Sequence, residues 1–268
     1  MLVFIALNRL ALAYQSVGNY NEAIKTYEES LERCHDGNLV GKLKTLINLG
    51  CCYRDTGKLE KSLSFIEEAV TISRSCYSSS HPSLAHAIYH LSNTYDLLDR
   101  KDEAWKLARE AFDIASATLP SSHPQLAEYM NGVGGCSFSR GDSNEAIVWY
   151  KKSHQFLQRL PSSPTRDDLF AKTLNGLAAA YQSDGKYDKA IKTYKESLKR
   201  CHDGNLGGKS TNGNRKSMFS ILVLINLGRC YKESGKLEKS LSLMEEAVTI
   251  SRSYYSSSHP SLALGKKS

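Results

Sequence analysis

The chain copies itself. Residues 10–42 recur as residues 177–209 with eight differences in 33 positions, and residues 46–85 recur as 224–263 with seven differences in 40. The second copy carries an insertion, around Ser210–Ser220, between the two blocks. Length alone, 268 residues, would suggest one or two ordinary domains. Self-similarity at a fixed period points instead to a stack of like units, none of which can bury its apolar face alone.

A shorter unit recurs inside the long one. Its anchor is a tyrosine position, filled by Tyr14, Tyr53, Tyr95, Ser137, Tyr181 and Tyr231. Four residues on stand Gly18, Gly57, Asp99, Gly141, Gly185 and Gly235, and five further on Ala23, Ser62, Ala104, Ala146, Ala190 and Ser240. Three residues before the tyrosine position sit Ala11, Gly50, Ser92, Gly134, Ala178 and Gly228. Successive tyrosine positions are 39, 42, 42, 44 and 50 residues apart. Leu7, Leu10, Ala11 and Tyr14 fall on one face of a helix, and Ala23, Ile24, Tyr27 and Leu31 do the same after Gly18. The unit is therefore a helical hairpin. Its glycine makes the turn, and its small residues let the two backbones approach. No stretch alternates like a strand, so an all-α fold is expected.

These residues resemble the tetratricopeptide repeat, with its small residues and aromatics at fixed places in two helices. Matching repeats lie near 4–37, 43–76, 85–118, 127–160, 171–204 and 221–254, and a further small position holds Ser30, Ala69, Ala111, Ser153, Ser197 and Ala247. The linkers around His81-Pro82, His123-Pro124 and His259-Pro260 each run into Leu-Ala. A proline behind a polar cap suits the first turn of a helix. These linkers, the step near 42 residues and the stretches Ile47-Asn48-Leu49-Gly50, Asn175-Gly176-Leu177-Ala178 and Ile225-Asn226-Leu227-Gly228 are similar to kinesin light chain and nephrocystin-3-type repeats. The resemblance implies one right-handed superhelical solenoid of six hairpins over residues 1–268, with a flexible inserted loop at 207–219 and a truncated seventh repeat at 259–268.

Composition excludes several classes. Hydrophobic residues make up 41% and charged residues 24%, and there are six prolines, which argues against disordered and Pro-rich chains. No apolar run is long enough for a membrane span. The start, Met1 to Leu7, lacks a basic segment before its apolar run, so no signal peptide is expected. The seven cysteines form no Cys-x-x-Cys pair and read as reduced thiols of a cytoplasmic protein. The net charge of +7 is uneven: residues 1–149 hold 14 Lys/Arg against 18 Asp/Glu, residues 150–268 hold 21 against 10. Glu22, Glu28 and Glu32 become Lys189, Lys195 and Lys199 in the second copy, all on second helices. That places much of the basic swing away from the first-helix face and weakens a nucleic-acid reading.

No catalytic constellation emerges. His86 and His90 are spaced i, i+4, a pattern that can bind a metal, with Asp96 not far off. No third ligand is placed by spacing, so no metal or cofactor is expected. Gly204 to Thr211 brushes against a phosphate-binding loop, but Asp203 stands where the pattern needs glycine. Cys51-Cys52 has no base or oxyanion donors in sequence reach.

The family lines a concave groove with its first helices. Carried over, the inward positions include Asn8, Lys44, Asn48, His86, His90, Asn93, Asn131, Lys172, Asn175, Gln182, Asn226, Arg229 and Lys232. Amides both donate and accept, so they can clamp an extended peptide backbone, while Lys and Arg attract acidic side chains. The expectation is a non-catalytic adaptor for protein or peptide partners, including acidic ones, with self-association through exposed ends as a further option. Two alternatives stand beside it: a repeat fragment of a larger, nephrocystin-like signalling protein with a nucleotide-binding domain elsewhere, and nucleic-acid binding through the basic C-terminal half.

Overall fold

The computed structural model describes residues 2–34, 38–77, 81–203 and 213–258. The described residues form twelve helices and no strand. In chain order these are α1 (Leu2–Ser16), α2 (Tyr20–Glu32), α3 (Leu39–Asp55), α4 (Leu59–Cys76), α5 (Pro82–Leu97), α6 (Lys101–Thr118), α7 (Gln125–Ser139), α8 (Ser143–Arg159), α9 (Pro164–Ser183), α10 (Tyr187–Asp203), α11 (Gly213–Glu233) and α12 (Leu237–Ser258). The chain divides into two compact units, Met1–Asp142 and Ser143–Ser268.

In the first unit α1 pairs with α2, α3 with α4 and α5 with α6. Each second helix also packs on the next first helix, α2 on α3, α4 on α5 and α6 on α7. First helices touch one another, α1 with α3, α3 with α5 and α5 with α7. The second unit repeats the scheme: α9 pairs with α10 and α11 with α12, while α8 packs on α9, α10 on α11 and α9 on α11. Within each unit the first helices thus form one face, the one expected to carry the site.

The turns follow the sequence register. Gly18, Gly57, Gly141, Gly185 and Gly235 all have φ between 72° and 86°. The sixth register position is Asp99, at φ 61°, the one non-glycine residue with positive φ among the described residues. Asp tolerates this conformation better than most residues because its short polar side chain can bond locally.

Small residues set how closely the paired helices approach. Ala11 and Ala23 are both fully buried between α1 and α2. At Gly50 a Cβ would fall 2.5 Å from Ile66 Cγ1 and 3.3 Å from the Ser62 carbonyl oxygen on α4, so only glycine lets α3 and α4 meet there. Around this contact Tyr27, Leu49, Cys52 and Tyr53 form a core cluster with Phe65 packed against it.

The duplicated hairpins repeat their internal hydrogen bonds as well as their residues. The Ser30 hydroxyl donates to the Phe4 carbonyl, and Ser197 to that of Ala171. Tyr27 donates to Gln15 Oε1 at 3.3 Å, and Tyr194 to Gln182 Oε1 at 3.1 Å.

The linkers work as caps. His81 precedes Pro82 at the start of α5, and its Nδ1 accepts the Ser83 amide at 3.1 Å. His123 Nδ1 accepts the Gln125 amide in the same way, and Ser163 caps α9 before Pro164. Each cap satisfies an amide that the first turn leaves without a partner. The third His-Pro linker and the segment 259–268 lie outside the described residues, as do Gly204 to Thr211. The inserted segment is helical where it is described: α11 begins at Gly213, within the stretch expected to be a loop. Extending an existing helix adds one bond per residue and needs no new nucleus.

Candidate functional site

The first unit brings Asn8, Lys44, Asn48, His86, His90, Asn93 and Asn131 onto α1, α3, α5 and α7. Lys44 is exposed and the other six are half-buried. Their side chains are not equally available. Asn8 donates to the Ser30 hydroxyl at 2.6 Å and to the Phe4 carbonyl at 3.0 Å, and its own oxygen accepts from Thr45 at 2.7 Å. It ties α1 to α2 and α3. Asn48 beside Tyr27, and Asn93 beside Tyr89, oppose the upward shift that burial gives each hydroxyl. Gly132 lies under the Tyr89 ring, where a Cβ would come within 2.6 Å of Cε2.

His86 and His90 form the centre of this face. Their rings meet edge to face with centroids 4.6 Å apart, and their Nε2 atoms are 3.2 Å apart. On its other side His90 Nδ1 meets Cys51 Sγ at 3.3 Å and Arg54 Nη1 at 3.5 Å. Burial holds His90 well below the ordinary imidazole range, reinforced by His86 and Arg54. Burial also lowers His86, with the charge of Lys44 adding to it. Desolvation raises the Cys51 thiol despite Arg54, so it is not poised as a nucleophile. Among the described residues no group of three or more His, Cys, Asp and Glu side chains could hold a metal ion. Asp96 is engaged elsewhere, accepting from Ser139 at 3.1 Å.

The second unit places Lys172, Asn175 and Gln182 on α9 and Asn226, Arg229 and Lys232 on α11. Asn226 donates to Asn175 Oδ1 at 3.3 Å, and Arg229 donates to Asn226 Oδ1 at 3.3 Å. Two amides and an exposed guanidinium thus form a ladder across neighbouring first helices. Lys172 is exposed and ion-paired with Asp168 at 2.7 Å, and Lys232 is exposed. Gln182 is buried, accepting from Tyr194 and donating to Glu233 at 2.8 Å. Its amide is spent inside the fold.

Sequence reasoning missed Cys51, Arg54, Thr45 and Glu233 as partners of the predicted residues. Repeat register was the available signal, since each partner stands on the neighbouring first helix. The lysines that make the second copy basic, Lys189, Lys195 and Lys199, are exposed on α10, a second helix.

No helix among the described residues is long and apolar enough to cross a membrane. Tetratricopeptide repeat models match residues 2–75, 43–117, 171–203 and 221–261. Protein KINESIN LIGHT CHAIN-RELATED 2 of Arabidopsis thaliana is 25% identical over 252 residues, covering 92% of this chain and 36% of that protein. The chain spans about a third of the length of the curated relatives it matches. Among solved structures, BtubC (BKLC) from P. vanneervenii is similar at TM-score 0.65 and 18% identity, covering 92% of this chain and 93% of that one. A Rap protein complexed with Competence and Sporulation Factor is similar at TM-score 0.68 and 16% identity, covering 95% and 76%. At these identities the likeness is one of fold.

Proposed function

Because the chain belongs to the tetratricopeptide repeat family, we propose that it is a non-catalytic protein-interaction scaffold whose first-helix faces hold extended segments of partner proteins. The observation that carries this reading is the Asn175–Asn226–Arg229 ladder. Amides in a row offer both donors and acceptors to a peptide backbone, and the exposed guanidinium beside them can take a carboxylate bidentately. The first unit supports the reading with a second polar row, Lys44, His86, His90 and Asn131, on α3, α5 and α7. The similarity to kinesin light chain-related proteins, and to a Rap protein solved with a bound factor, is consistent with a surface that works by holding other molecules.

A peptide array rich in acidic and Trp-containing sequences, followed by fluorescence anisotropy on the hits, tests the reading. Saturable binding should weaken about tenfold or more in Asn175→Ala combined with Arg229→Ala, as for truncation of anchoring contacts. Absence of any saturable peptide, or affinity indifferent to the double substitution, would overturn it.

A further inference from the structure

One hydrogen bond recurs where neighbouring repeats meet. The Tyr95 hydroxyl on α5 donates to the Glu67 carboxylate on α4 at 3.0 Å, and the Tyr53 hydroxyl on α3 donates to Glu28 on α2. Each tyrosine is the anchor of its own repeat. Each glutamate stands fourteen residues after the anchor of the repeat before. Two further residues fit the same register. Glu245 on α12 stands fourteen residues after Tyr231, and Tyr14 is the anchor on α1. Among the described residues neither the Tyr14 hydroxyl nor the Glu245 carboxylate has a partner.

The surfaces beside these two groups are bare where their counterparts are covered. α12 repeats α4, with Leu237, Leu241 and Val248 standing for Leu59, Leu63 and Val70. α4 packs on both α3 and α5, and Val70 is 4% exposed. Val248 is 47% exposed, and Leu237 and Leu241 are exposed as well. α1 holds the register of α3 and α5. Its Leu10 is 46% exposed, whereas Leu49 and Leu91 at the same position are buried. Val3 and Ala13, on the same side of α1, are exposed where α5 buries Leu84 and Thr94. A repeat array keeps an outer face in water by making it polar, and these two faces carry leucine and valine instead.

We propose that the α12 face of one copy of this chain binds the α1 face of a second copy, head to tail, as α4 holds α5. Tyr14 of one copy donates to Glu245 of the other, and the two apolar faces cover each other. The occupant is a second copy because α1 brings, in one register, both things that α5 brings to α4: the apolar side and the tyrosine. The two faces are unlike, so a copy bound at one keeps the other for a further copy. Such heterologous contacts build open chains or rings. Asn175 and Arg229 lie on α9 and α11, so the proposal stands or falls separately from the peptide-binding reading.

Analytical ultracentrifugation of the full chain tests this. Species larger than one chain should appear as the concentration rises to about 200 µM, enough to populate even a weak contact. Leu10→Glu spoils only the α1 face, and Val248→Glu only the α12 face. Both positions are exposed, so folding is kept, which the melting temperature checks. Each variant alone should remain a monomer. Their equimolar mixture should restore one contact, the intact α12 of the first on the intact α1 of the second, and stop at a dimer. Tyr14→Phe, which keeps the ring and removes the hydroxyl, should weaken association about fivefold, and Glu245→Ala should add nothing to that loss. A native chain that is monomeric throughout, a single variant that still associates through α1 on α1 or α12 on α12, a mixture that stays monomeric, or unchanged association in Tyr14→Phe would overturn the proposal.

Discussion

The Nε2 atoms of His86 and His90 face each other at 3.2 Å, a contact in which one nitrogen gives its proton and the other its lone pair. A doubly protonated pair has no lone pair to give and carries like charges. Burial lowers both histidines, Lys44 adds to the effect on His86, and His86 and Arg54 add to it on His90. The unfolded chain takes up these protons near pH 6.5, whereas the folded chain resists until the pH is lower. Stability is therefore full above that pH and falls as acid is added, by on the order of 1 kcal/mol for each pH unit a histidine is depressed. His154, also lowered by burial, adds a background of the same sign, while Asp96, raised by burial, opposes it at lower pH. Melting temperatures between pH 7.5 and 5.5 should drop for the native chain and drop less for His90→Gln. Equal slopes would remove the pair from the account.

Asp99 makes its turn at φ 61°, where the five other register positions use glycine. Asp99→Gly should stabilise the chain by about 0.5–1 kcal/mol, since a left-handed L-residue carries a penalty that glycine lacks. The ion pair to Lys101 is exposed at its Asp99 end, 84%, and its loss matters little. Gly185→Ala should destabilise by about 1 kcal/mol. Chemical denaturation of both variants checks the opposite signs.

Gly50 and Gly228 occupy the same register but face different side chains. A Cβ on Gly50 meets the branched Ile66 at 2.5 Å, whereas one on Gly228 meets the terminal methyl of Met244 at 2.9 Å. Methionine bends away more easily than isoleucine. Gly50→Ala should cost about 1–3 kcal/mol, and Gly228→Ala less. Ile66→Met should rescue part of the Gly50→Ala loss, which a double-mutant cycle would measure as a coupling energy.

Tyr194 is fully buried and bonds a Gln182 that is 7% exposed. Tyr194→Phe leaves a buried amide oxygen one donor short and should cost about 1 kcal/mol or more. Its twin, Tyr27→Phe, acts on the more exposed Gln15, where water can replace the hydroxyl, and should cost less. Equal losses in urea titrations would contradict this difference.

The hairpins and their turns could be read from sequence because the signal is local. Gly18 and Asp99 make the same turn because each is framed by a tyrosine four residues before and an alanine five after. Periodicity also put the right side chains on the first helices. It could not show which of them were already engaged. Asn8 and Gln182 look like groove amides from their register, yet Ser30 and Thr45 use the first, and Tyr194 and Glu233 the second. Those partners lie 12 to 51 residues away, and a hydrogen bond over that distance leaves no local pattern.

The bonds from Ser30 to Phe4 and from Tyr27 to Gln15 close one hairpin on itself, and their twins close another. A segment sealed in this way can be inherited whole. Copying it within a gene brings the seam along intact and leaves the exposed surface free to differ, as Glu32 in one copy and Lys199 in the other record. Differences between such copies collect on faces, while the bonds that close each hairpin on itself are kept.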